Sequence, residues 1–90
     1  MITTQEIRSI NGYFRIIGSN AFCITIQSRN TKHFWHIVEQ QYNKCRSFSV
    51  SHKHNVHDTY HNHGHYKTLD LVVSEIKNHD AFQLRGRKNK

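Results

Sequence analysis

The sequence predicts an α+β fold with a short N-terminal helix, an antiparallel sheet of four to five strands, and one C-terminal amphipathic helix packed on one sheet face. Three observations lead to this prediction. Segments of alternating polar and apolar residues, typical of half-buried strands, follow one another through the first two thirds of the chain. One stretch with helical spacing of apolar residues comes after them. Because 90 residues build a single small core, a helix on a sheet is the simplest way to bury both apolar faces.

The N-terminal elements are predicted to be a short helix and a hairpin. Thr3 or Thr4 can cap a helix that ends at the following Asn-Gly pair. Residues 13–17 are β-branched and aromatic, which favours a strand. Apolar and polar residues then alternate over 22–27, which predicts a second strand after the turn-forming residues 18–20.

A third strand is predicted after the polar turn at residues 28–32. Residues 33–40 favour a strand because they are rich in aromatic and β-branched side chains. A helix is the competing interpretation, since Phe34, Ile37 and Val38 also fit a period of 3.6 residues.

The fourth strand is predicted over residues 46–54 from a regular alternation. Phe48 and Val50 point to one face, and His52 and His54 continue that face toward the end of the strand. Small polar residues and a lysine occupy the other face.

The C-terminal helix is predicted to run from Leu69 to Asn78. Thr68 suits the N-cap, and the apolar residues recur at i, i+3, i+4 and i+7. Asn78 suits the left-handed position that ends a helix. A last strand is then expected over residues 81–85, followed by a loose tail.

The positive charge is concentrated at the C-terminus. The formal net charge is +7, and four basic residues without an acid lie in the last six positions. We therefore divide the chain into one domain over residues 1–84 and a basic tail over 85–90. Such a tail either attracts nucleic acid or an acidic protein surface, or it is simply solvated. The predicted contact residues for these partners are Arg46, Lys53, Arg85, Arg87, Lys88 and Lys90.

The sequence predicts a cytoplasmic protein without a membrane segment. The first residues lack the positive start and apolar stretch of a secretion signal. No apolar run approaches the roughly 20 residues of a membrane span. Cys23 and Cys45 are expected to be free thiols, with metal ligation by one or both as the alternative.

Histidines are dense in one predicted hairpin. Residues 60–66 are expected to form a fifth strand after a loop at 55–59, and six histidines lie between positions 52 and 65. Their spacing of two places each group on one strand face, about 5 Å from the other group across the hairpin. Converging neutral imidazoles bind Zn²⁺, Ni²⁺ or Cu²⁺, and Zn²⁺ is the predicted cofactor. The predicted ligands are His52, His54, His61, His63 and His65, with Asp58 as a further ligand or an orienting group.

Two other interpretations of the histidines stay open. The hairpin can be an ordinary polar surface whose imidazoles bond to backbone and water. It can also gain charge in mild acid, because unperturbed histidine titrates near pH 6.5.

The sequence predicts a small non-enzymatic module that binds nucleic acid or a nucleic-acid-handling protein. Neither a nucleophile elbow nor a glycine-rich phosphate loop is present. The alternative is a phage or mobile-element inhibitor that docks on a nuclease or ribonucleoprotein, such as an anti-CRISPR-type blocker. A third possibility is a small nuclease or toxin that uses His54, His61 or His63 for acid–base chemistry.

Overall fold

The computed structural model describes residues 1–10 and 12–88 and confirms the predicted α+β fold. Five strands form one antiparallel sheet in the order β1-β2-β3-β4-β5, so that each strand pairs with the next along the chain. The elements are α1 (Thr4–Ile10), β1 (Phe14–Ser19), β2 (Cys23–Ser28), β3 (Phe34–Tyr42), β4 (Cys45–Lys53), β5 (His61–Tyr66) and α2 (Leu69–Lys88).

The start of α1 is fixed by a reciprocal capping motif. The backbone N–H of Glu6 donates to Thr3 Oγ1 at 3.1 Å, and the backbone N–H of Thr3 donates to Glu6 Oε1 at 2.9 Å. These two bonds satisfy donors that have no partner inside the helix. Of the two predicted caps, Thr3 is therefore the one that the chain uses.

The third strand is a strand, as predicted, and not the competing helix. β3 lies at the centre of the sheet and pairs with β2 on one side and with β4 on the other. A tight turn joins β3 to β4, and its two residues, Asn43 and Lys44, have φ values of 51° and 65°. Two successive left-handed residues match the right-handed twist of the flanking strands.

One face of the sheet carries the core, and both helices pack on it. α2 contributes Leu69, Val72 and Ile76, which lie at the predicted helical spacing. Trp35 is fully buried beneath them, and its indole N–H donates to the buried Ser28 Oγ at 3.1 Å. The buried apolar residues are Ile2, Ile10, Phe14, Ile24, Ile26, Trp35, Ile37, Phe48, Val50, Leu69, Val72 and Ile76.

The predicted end of the C-terminal helix is wrong. α2 continues past Asn78 to Lys88, so residues 81–85 are helical and not a strand, and residues 85–88 are helical and not loose. The extra turns are held by Asp80, which is fully buried and accepts hydrogen bonds from other elements. Neither glycine nor proline interrupts the helix before Gly86. Residues 89–90 of the predicted tail lie outside the described residues.

The prediction that the three histidines of β5 share one face is wrong, because the strand contains a bulge. Val50 pairs with Gly64 while Ser51 pairs with Asn62, so His63 is an extra residue without a partner on β4. Because one additional residue reverses the alternation, His61 lies opposite His52 whereas His65 lies opposite Ser49, on the other face.

Neither α1 nor α2, the helices of the described ranges, is long and apolar enough to cross a lipid bilayer.

Candidate metal centre

Six imidazoles gather where the ends of β3, β4 and β5 meet α2. Their ring centroids form a continuous chain of contacts between 4.1 and 6.3 Å, above the buried indole of Trp35. β3 and β4 bring two strand ends side by side, and the bulge of β5 and the middle of α2 close the group. We call this group the histidine cluster; its members are His33, His52, His54, His61, His63 and His79.

Two histidines form the buried centre of the cluster. His33 and His52 are each 2% exposed, and a hydrogen bond of 3.2 Å joins His33 Nδ1 to His52 Nε2. The exposed His54 stacks on His33 with a centroid distance of 4.1 Å and an interplanar angle of 8°. The cluster therefore reaches from the core to the surface through a single stack of rings.

His33, His52 and His54 have the spacing of a metal-ligand set. One ring nitrogen from each lies within 4.8 Å of the corresponding nitrogens of the other two. Tetrahedral ligands held at 2.0–2.1 Å from Zn²⁺ lie about 3.3 Å apart, close to the separation of the two buried nitrogens.

The surroundings of three rings of the cluster favour their neutral form. Burial, reinforced by neighbouring imidazoles such as His79 and His33, lowers the pKa of His52 from 6.5 to about 3. Burial also lowers the pKa values of His63 and His79. A neutral imidazole offers the lone pair that a metal requires, and a metal would replace the proton that His33 and His52 share in their hydrogen bond.

A second set of donors shares His33 with the first. Ligand atoms of His33, His79 and Asp80 also lie within 4.8 Å of one another. The Asp80 carboxylate accepts hydrogen bonds from the Tyr13 hydroxyl at 2.9 Å and from Thr31 Oγ1 at 3.1 Å. Among the described residues, His79 Nδ1 is the one buried side-chain nitrogen or oxygen without a hydrogen-bond partner. An unsatisfied nitrogen beside the cluster suits a bound cation better than an apolar contact.

An ion can reach the cluster from solvent at the His54 end. A shallow depression of about 290 Å³ lies beside His54 and His61. Asp58 lies on its rim, but one of its carboxylate oxygens accepts hydrogen bonds from the backbone and side chain of Asn55. Asp58 therefore holds the loop between β4 and β5 in shape.

The structure brings four of the five predicted histidine ligands into one cluster. His52 and His54 belong to the first ligand set. His61 faces His52 across the hairpin, as predicted, with ring centroids 5.4 Å apart. His63 packs edge-on against Trp35 and His79 and lies outside both ligand sets, while His65 lies on the opposite sheet face.

The sequence interpretation missed three donors: His33, His79 and Asp80. Each had a signal in the pattern. His33 precedes Trp35 by two residues and so shares its buried strand face. His79 and Asp80 follow Ile76 at i+3 and i+4, which places them on the apolar face of any helix that continues past Asn78.

Among the predicted contact residues, Arg46 is already engaged in ion pairs, whereas Arg85 is exposed. Arg46 is already paired within the protein, at 2.7 Å from Glu39 and 3.1 Å from Glu6. Although burial opposes it, hydrogen bonds from the Met1 amino group and Arg46 hold the pKa of Glu39 below its usual value. Lys53 lies on the sheet, and Arg85 is exposed on α2. Arg87 and Lys88 continue the α2 backbone, and Lys90 lies outside the described residues.

Cys23 is a half-buried free thiol and Cys45 an exposed one, and neither belongs to the ligand sets found in the described ranges.

Comparison of the chain with protein-family models, with curated proteins and with solved structures finds no match.

Proposed function

We propose that this protein is a small non-enzymatic binding module in which the histidine cluster holds one transition-metal ion, Zn²⁺ being the best suited. The observation that carries the proposal is the arrangement of His33, His52 and His54, with two buried nitrogens 3.2 Å apart and a third ring stacked on them. Three neutral imidazoles fill three positions of a tetrahedral ion. The fourth position of such an ion would be open to water or to a group from a partner.

The chemistry of the cluster favours a borderline metal over a hard cation. The first set is made of nitrogen donors alone, and Mg²⁺ and Ca²⁺ prefer oxygen. The ligands of the first set lie next to the start of β3 and at the end of β4, and the second set includes His79 and Asp80 from α2. A metal held there would join strand ends that are far apart in the chain, so its binding would stabilise the folded state.

Metal content is measured on protein purified without an affinity tag and dialysed without chelator. Elemental analysis is expected to find about one equivalent of metal per chain, as a single tetrahedral site requires. Adding Zn²⁺ to metal-free protein is expected to raise the melting temperature, and a chelator to reverse the change. Absence of metal in the purified protein together with absence of any thermal shift would overturn the proposal.

A matched pair of variants locates the site. His54→Gln removes an exposed ligand with little effect on the core and is expected to weaken Zn²⁺ binding by at least about tenfold. His57→Gln removes an exposed histidine from the neighbouring loop and serves as the control. Equal affinity in both variants would show that the metal binds elsewhere.

The non-enzymatic part of the proposal has its own test. The metal-loaded and metal-free proteins are incubated with labelled RNA and DNA, and neither is expected to cut them. Cleavage that depends on the metal and disappears in His54→Gln would instead assign the centre to a nuclease.

A further inference from the structure

The sheet face opposite the core is a second candidate surface. Residues that pair across neighbouring strands share a face, and Arg15 pairs with Gln27, Gln27 with Phe34, and Phe34 with Lys53. These four residues form one row across β1 to β4, about 14 Å long at the usual strand spacing. Both helices pack on the other side of the sheet, so they leave this row uncovered.

The charge of this face is one-sided. Arg15 and Lys53 lie at the two ends of the row, and the strand residues of the described chain on this face include no aspartate or glutamate. The next rows supply neutral hydrogen-bonding groups, for example Thr25, Ser51 and Asn62. Strand residues with two cations and no carboxylate complement a polyanion, and the nearby carboxylate of Asp58, in the loop beside Lys53, is held by Asn55.

An aromatic platform lies inside the row. Phe34 is only half-buried, unlike its neighbour Trp35 on the core face. Lys53 Nζ lies 5.4 Å from the centre of the Phe34 ring and 4.5 Å from that of Tyr60. A half-exposed ring beside a cation is the pair of groups that binds a base and its phosphate in single-stranded nucleic acid, and Lys53 Nζ, which also donates to the Val56 carbonyl at 3.1 Å, would turn from there to the phosphate.

We infer that this face, centred on Phe34 and flanked by Arg15 and Lys53, binds single-stranded nucleic acid by base stacking and phosphate contacts. The inference is independent of the metal centre, which lies on the core side of the sheet. Duplex is a poor ligand for the same surface because its bases are already stacked on each other.

Fluorescence anisotropy with labelled oligo(U) and oligo(dT) of about 12 nucleotides tests the inference on the whole chain. Binding is measured at about 0.01 M and about 0.15 M salt, with chelator and with Zn²⁺. Binding of either single strand at low salt, weakened at high salt and unaffected by the chelator, is the expected result. The two oligonucleotides show whether RNA or DNA is preferred.

Variants of the row distinguish this face from the general positive charge. Phe34→Leu keeps an apolar side chain but removes the ring, and it is expected to weaken binding about tenfold or more. Arg15→Gln and Lys53→Gln are each expected to reduce the slope of log affinity against log salt by about 0.7. Arg8→Gln, an exposed cation on α1 behind the sheet, is the matched control and leaves affinity unchanged.

Three results would overturn the inference. They are no binding of either single strand at low salt, equal affinity for duplex, and equal loss in Arg8→Gln and Lys53→Gln. Circular dichroism checks that Phe34→Leu is folded. If it is not, the double variant Arg15→Gln/Lys53→Gln carries the test, because it changes only side chains at the ends of the row.

Discussion

The histidine cluster makes the metal-free protein sensitive to mild acid, and His52 gives the clearest prediction. Burial beside other imidazoles lowers its pKa from 6.5 to about 3 in the folded state. In the unfolded chain the ring is solvated and titrates near 6.5. Between these two values the unfolded state binds a proton that the folded state does not, so stability falls as the pH falls.

The size of the effect follows from the two pKa values. Between pH 7 and pH 5, protonation of His52 in the unfolded chain lowers the free energy of unfolding by about 2 kcal/mol. The lowered pKa values of His63 and His79 act in the same direction and add to this loss. The stabilising carboxylates Glu6 and Glu39 also have lowered pKa values, but their contribution is lost only below pH 4.5. The window from pH 7 to pH 5 therefore reports the histidines.

Urea unfolding at each pH, followed by the fluorescence of Trp35, measures this loss in the presence of chelator. Trp35 is the single tryptophan and its ring centroid lies 4.1 Å from that of His52. His52→Phe replaces the ring with an apolar one and is expected to reduce the pH dependence by about 2 kcal/mol. His57→Gln, in the exposed loop, is expected to keep the dependence of the unsubstituted protein.

Equal stability at pH 7 and pH 5 would refute this reasoning, because it would mean that the imidazole of His52 is protonated as easily in the folded as in the unfolded state. An unchanged pH dependence in His52→Phe would place the titrating groups elsewhere. Histidine NMR titration gives an independent reading, in which the His52 signals do not shift above pH 4 if the folded pKa is about 3.

Three further predictions concern the elements that hold the fold, each measured by urea unfolding. Thr3→Ala removes the cap of α1 and should cost about 1 kcal/mol, whereas an unchanged midpoint would mean that the capping bonds do not form in solution. Lys44→Gly relieves a left-handed residue in the β3–β4 turn and should stabilise the protein by about 1 kcal/mol, while glycine at the strand residue Gln40 should destabilise it. Asp80→Ala leaves two hydroxyl donors without their acceptor and should cost about 2–3 kcal/mol; a smaller loss would show that water replaces the carboxylate.

The order and type of the elements could be predicted because most of them depend on local patterns. Alternation placed β2 and β4, and the recurrence of Leu69, Val72 and Ile76 placed α2. The end of α2 could not be predicted, because Asn78 has a local preference for a helix end. Hydrogen bonds from Tyr13 and Thr31 to Asp80 override that preference, and these contacts span 67 and 49 residues of chain.

The candidate site was predicted in part for the same reason. The pairing of His52 with His61 follows from a hairpin, which is a local motif. The bulge at His63 depends on how β5 fits against β4 and α2, and no residue type in the segment requires it. His33 and His79 reach the cluster from other parts of the chain, so spacing within the hairpin could not reveal them.

The composition of the cluster supports the proposed metal binding better than a purely structural role. A small domain has few core positions, and this one places His33 and His52 beside Trp35 where apolar side chains would pack without hydrogen bonds to satisfy. Without metal, the buried rings are expected to weaken the fold in mild acid. A metal on His33, His52 and His54 would reverse this cost, because the neutral rings that burial requires are the rings that the ion requires. The proposed metal binding and the expected acid sensitivity thus depend on one arrangement, and the same variants, His52→Phe and His54→Gln, should separate them. His52→Phe should weaken both properties, whereas His54→Gln should weaken metal binding and leave most of the acid sensitivity.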